Sequence, residues 1–205
     1  MTAPLTLDDL VRMDSTRLHE VLLAGHPLDP DRLAGHAYLG VDLSLPRLAR
    51  KLLWHTFRKT FVRDEDTGDV RGWNVRMEQH GVDGPRIPMR DGRGRAITFG
   101  HYRVRESRGI AFPGGYRGAY HLDYGCAGNT ALDLARFGLT PLVAVNEGSQ
   151  ELLLGWEVFR VGPCFVPMPL YWALRLEGSV DELIDAPRRP DRSAARSRRS
   201  RTHGA

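Results

Sequence analysis

The chain has 205 residues, 41% hydrophobic and 26% charged, enough to bury a sizeable core in one domain. Its formal charge of +4 is uneven: Ala186–Ala205 holds seven arginines and one acid, Asp191, which leaves 22 basic and 24 acidic residues in the rest of the chain. Composition and spacing exclude a membrane-crossing helix, since no apolar run approaches ~20 residues, and a CxxC motif, since Cys126 and Cys164 stand far apart.

In chain order, the opening MTAPLTLDDLVRMD is acidic where a secretory signal is basic and then apolar. A cytoplasmic location with free thiols is expected. A helix is predicted over Leu7–Leu23, with Thr6 and Asp9 as a capping pair. Leu10, Val11, Leu18 and Leu22 form its apolar stripe, and Gly25 stops it. After the turn HPLDPD comes a first strand, HAYLGVDL, bounded by Gly35 and carrying Gly40. A second, inserted amphipathic helix is predicted over 46–61, from Leu48/Leu52 and Ala49/Leu53/Phe57/Phe61. Arg47, Arg50, Lys51, Arg58 and Lys59 occupy its opposite, solvent side. A sharper reading makes that basic side a contact for anionic lipid or a cover for a ligand entrance.

From Val70 the apolar period changes to two. VRGWNVRMEQ, RAITFGHYRVRE, YRGAYHLDY, PLVAVN, ELLLGWEVFRV and LYWALRLE follow one another between Gly- or Pro-containing breaks. With HAYLGVDL they make about seven strands, the pattern of an antiparallel barrel or sandwich. RDGRGRA reads as a hairpin turn, and GIAFPGG as another whose Phe112 would be an apolar lid residue if it overhung a barrel mouth. One short helix is expected over Asn129–Arg136, with Asn129 as its cap. Residues 1–185 are read as a single barrel domain. The Arg-rich segment 186–205 lacks apolar content for a core and is expected to be a disordered tail, with an anionic partner as its functional alternative.

HAYLG, followed later by YRGAYHLDYG, ELLLGWEVFRVG and LYWALRLEG, resembles the small bacterial proteins with a GXWXG motif and a DUF4334-type segment, and more distantly the calycins (lipocalin-like barrels). In this resemblance Tyr38 stands where the family has Trp, and His36 replaces the first Gly. It implies a calycin-like antiparallel barrel of seven to eight strands with an N-terminal helix. The barrel would hold an apolar small molecule, without established enzyme chemistry. By analogy with calycins, Arg175 on the last strand would pack over Tyr38.

The leading functional expectation is therefore binding of a hydrophobic or amphipathic small molecule. Its walls would be Tyr38, Trp73, Phe99, Tyr102, Trp156 and Trp172, with His101, His121 or Arg175 orienting the ligand. A small enzyme (isomerase, cyclase or hydrolase) is the alternative, and its weak candidates are His121 and Asp123 as a base pair with Cys126 as nucleophile. His121 and Asp123 would also need His36 or His101 to hold a metal. A third alternative is an interaction module that docks through the basic tail or helix. No cofactor is implied.

Overall fold

The computed structural model describes residues 3–44, 56–129 and 133–185. Three short helices, α1 (Leu7–Arg12), α2 (Ser15–Ala24) and α3 (Pro30–Leu33), precede most of the sheet. The strands are β1 (His36–Asp42), β2 (Thr56–Arg63), β3 (Val70–Arg76), β4 (Thr98–Glu106), β5 (Tyr120–Asp123), β6 (Gly138–Ala144), β7 (Leu152–Val161) and β8 (Cys164–Ser179). Each pairs antiparallel with its neighbour in sequence, and β1 also pairs with β8, so the sheet closes into a barrel with no free edge. His36 opposes Ser179 and Asp42 opposes Trp172 along that seam. The fold is mainly β, as the two-residue period implies.

Three sequence expectations are corrected. The first helix is two helices, because Asp14 turns its side chain onto the Arg17 N–H and caps a new helix while Met13 is extended. The Thr6–Asp9 capping box at the first start is present. Of the helix expected over 46–61, residues 45–55 lie outside the described part, and Thr56–Phe61 belong to strand β2. Phe57 and Phe61, four apart, share a face in a helix and in a strand alike, and β-branched Thr56, Thr60 and Val62 decide for the strand. The helix expected over Asn129–Arg136 is, in its described part, a 3-10 turn at Leu134–Phe137 capped by Asp133. Asn129 instead ties two segments together, its amide donating to the carbonyls of His101 (2.7 Å) and Tyr124 (2.8 Å).

Side chains alternate between two cores. Outside the wall, Leu7, Leu10, Leu18, Val21 and Leu22 of α1 and α2 cover Leu39, Val41, Leu154, Trp156, Val158 and Ala173. His19 pins this layer: one ring nitrogen meets the Tyr171 hydroxyl (2.9 Å), and the other meets the Gly114 carbonyl (2.8 Å). Trp73, Val75 and Met77 on the outer side of β3 and beyond are covered by Val180 and Ile184. Inside, Tyr38, Phe61, Val70, Tyr102, Val104, Leu122, Leu142, Leu153 and Leu174 fill one end of the barrel, with Leu28 and Leu33 beneath them.

Candidate functional site

The other end of the barrel is hollow. A cavity of about 350 Å³ lies between the later residues of β1, β3 and β7, the first of β2 and β4, and the middle of β8. Its apolar walls are Phe57, Phe99, Phe159, Leu170 and Trp172, with Ala135 of the 3-10 turn. Its polar lining is Asp42, Lys59, Asn74, Tyr124 and Glu157. The volume is at the lower end of the ~300–1,000 Å³ typical of ligand sites.

Register explains why these side chains meet. Tyr38 opposes Lys59, Lys59 opposes Asn74, and Asn74 opposes Phe99, so four strands send one cross-strand row inward. On the far side Asp42 opposes Trp172 and Trp172 opposes Gly155. Glycine is needed there: a Cβ on Gly155 would sit 2.3 Å from the Trp172 ring, and one on Gly40 would sit 2.3 Å from Phe57. Missing side chains on the wall make room for the rings that bound the cavity.

Lys59 is the unusual element. Only 1% of its surface is exposed. Its amine lies 4.4 Å from the ring centre of Tyr102, 4.7 Å from that of Trp172 and 5.3 Å from that of Tyr124. It donates one hydrogen bond, 2.8 Å long, to the Tyr124 hydroxyl, and among the described residues it makes no ion pair. Burial pushes its pKa down to about 7, although Glu157 pulls the other way. Glu157 is shifted up by burial, against the restraint of the Thr140 hydroxyl (2.9 Å), the Lys59 charge and the Trp172 side chain. Both groups are thus biased toward their neutral forms. Asn74 is buried at 4% exposure, and its amide donates to the Gly100 carbonyl (3.0 Å). Among the described residues its Oδ1 has no hydrogen-bond partner. A buried acceptor without a donor is costly and calls for an explanation, and a polar ligand group supplies one.

The residues expected from sequence to line one pocket are divided by the alternation of the strands. Tyr38, Phe99, Tyr102 and Trp172 point inward, but only Phe99 and Trp172 line the cavity; Tyr38 and Tyr102 belong to the packed end. Trp73 and Trp156 pack in the outer layers. His101 adjoins Trp73 and His121 packs on Phe112, both buried. Desolvation lowers each of these histidines to a pKa of about 4. Arg175 opposes Leu39 and Leu152 on the outer face, whereas Tyr38 opposes Leu176. The expected stacking of Arg175 on Tyr38 is therefore absent: one step of register puts them on opposite sides of the wall. The cation among the inner rings is Lys59.

The suggested catalytic set does not converge in the cavity. His121 meets the Ser107 hydroxyl at 3.2 Å. The Asp123 carboxylate accepts from the Gly125 (2.8 Å) and Cys126 N–H groups, and the Cys126 thiol turns toward the Asp123 carbonyl. Burial raises the Cys126 pKa, the reverse of an activated thiol. Among the described residues no group of three or more His, Cys, Asp or Glu is placed to hold a metal. Phe112 packs on Tyr116 and Phe165 in the outer layer and does not line the mouth.

Sequence reasoning missed Phe57, Lys59, Asn74, Tyr124, Glu157 and Phe159. The available signal was the sequence FRKTF read with period two, which puts one of the chain's two lysines between two inward phenylalanines. In GWEVF the same period puts Glu157 between inward Gly155 and Phe159. No helix among the described residues is long and apolar enough to cross a membrane. Compared with protein-family models, with curated proteins and with solved structures, the chain gives no match.

Proposed function

We propose that the protein binds an amphipathic small molecule inside a calycin-like barrel. The observation that carries this reading is the cavity itself, where apolar walls from Phe57, Phe99, Phe159 and Trp172 converge on buried polar groups, among them an Asn74 oxygen with no partner among the described residues. Apolar walls supply affinity, and a few fixed polar atoms supply orientation. The resemblance to GXWXG/DUF4334 proteins and calycins is part of the same reading. It is supported by the up-and-down strand order and by the pairing of the early strand His36–Asp42 with the last. Binding needs no reacting pair, and His121, Asp123 and Cys126, the residues of the enzyme alternative, do not line the cavity.

The test has two parts. Native mass spectrometry of protein purified from its own host should show a retained small molecule. The uncharged dye N-phenyl-1-naphthylamine should bind with enhanced emission and quench tryptophan, and Ala135→Phe, which fills the cavity, should abolish both effects. Absence of any retained molecule, together with dye binding that Ala135→Phe leaves unchanged, would overturn the proposal.

A further inference from the structure

We infer that the ligand is an aldehyde or ketone and that the Lys59 amine joins it through a reversible imine. This rests on the carrier reading above. The first ground is placement. Lys59 lines the cavity, and its amine, with a single hydrogen bond among the described residues, is held among the rings of Tyr102, Trp172 and Tyr124. It is a nucleophile positioned at the polar floor of an apolar pocket.

The second ground is charge. Asp42 and Glu157 line the cavity, and an uncharged carbonyl enters it at no electrostatic cost whichever form these carboxyl groups take. The titratable groups around the amine are Tyr38 across the β1–β2 ladder, Tyr102, Tyr124, Asp42 and Glu157. Burial raises Tyr38 to about 12 and shifts Tyr102 and Tyr124 well above their usual range, so all three stay neutral. Among the described residues that line the cavity, the carboxyl groups are the ones that can balance a cation on Lys59.

The third ground is that the atoms balance without an outside reagent. The neutral amine adds to the carbonyl carbon and gives a carbinolamine. The carbinolamine loses its hydroxyl as water while the Glu157 carboxylic acid supplies one proton. The products are the iminium ion on Lys59, the Glu157 carboxylate as its counter-ion, and one water. Hydrolysis reverses each step and releases the ligand unchanged. Burial biases both groups in the direction of these starting forms, lowering Lys59 and raising Glu157.

The chain suits a direct test, because Lys59, Lys51 and the N-terminus are its only amines. Full-length protein is incubated with cinnamaldehyde and sodium cyanoborohydride, and the reduced adduct is located by intact mass and peptide mapping. At pH 7 the adduct should form on Lys59 at least about tenfold faster than on Lys51. The rate should rise toward pH 7 as the Lys59 amine loses its proton and fall again at higher pH as Glu157 loses its own. Lys59→Arg and Lys59→Met should both lose that adduct, and the volume-matched Met variant should still bind N-phenyl-1-naphthylamine. Dye binding with no adduct, or an adduct only on Lys51 or the N-terminus, overturns the imine and leaves the carrier reading standing. Failure of both dye and aldehyde to bind overturns the two together.

Discussion

Lys59 is a liability to the fold. An amine buried among rings loses its hydration, and one hydrogen bond to Tyr124 with cation–aromatic contacts offsets only part of that loss. Its folded pKa of about 7 lies below the ~10.4 of an unfolded lysine. Between those values the unfolded chain binds a proton that the folded chain does not, so this group makes stability rise with pH across that window. Lys59→Met should therefore stabilise the protein at pH 7, by about 1–4 kcal/mol as for other buried ionic groups replaced by apolar ones. The variant should also flatten the dependence. Urea unfolding of both proteins at pH 7, 8 and 9 measures this. A less stable variant with an unchanged slope would mean that Lys59 is charged and well paired in the fold. This cost is easily overlooked in the sequence, because a lysine beside Arg58 reads as solvent-facing until FRKTF is read with period two.

Strand β2 shows why that period was hard to read. A spacing of four residues is common to one helical turn and to two strand repeats, so Phe57 and Phe61 satisfy both. Strands β3, β4 and β7 were legible because Trp73, Val75 and Met77, or Leu152, Leu154 and Trp156, recur every second residue. The same legibility misled about the site. The conspicuous aromatics of β3 and β7 form the outer face under the N-terminal helices and the C-terminal segment, and the inner face of β7 is marked by Gly155 and Glu157. Alternation identifies two faces without saying which is inside, and in a barrel covered on its outside both are apolar. Gly155 tests the assignment. Gly155→Ala introduces a Cβ that clashes with the Trp172 ring. Stability should fall by about 1–3 kcal/mol, as in other overpacked cores. Displacement of Trp172 into the cavity should also weaken dye binding and change tryptophan emission. Unaltered stability and binding would show that Trp172 does not lie against this strand.

The barrel is divided between support and use. One end is filled by Tyr38, Phe61, Tyr102, Leu122 and their neighbours and is tied outside by ion pairs from Arg103 and Arg105 to Asp64 and Asp69. The other end is open enough to hold a ligand. Whether a barrel interior is filled or hollow was not legible, since large inward side chains serve either purpose. The answer depended on where Gly40 and Gly155 stand relative to Phe57 and Trp172.

The β1–β8 seam carries a kinetic consequence. It joins the earliest strand of the chain to the latest, and the cavity wall draws on both, through Asp42 and Trp172. During synthesis β1 must wait until β8 has been made before its second edge is paired, and contacts of such long sequence separation form slowly. The binding site is thus the last feature to mature. In stopped-flow refolding, N-phenyl-1-naphthylamine should acquire its bound-state emission only in the slowest phase, after most of the β signal in circular dichroism has developed. Native-like dye emission in an earlier phase would place cavity formation before seam closure. If the seam closes last, the ligand-competent state is a kinetic endpoint, and a ligand present during refolding leaves the early phases unchanged while slowing reopening.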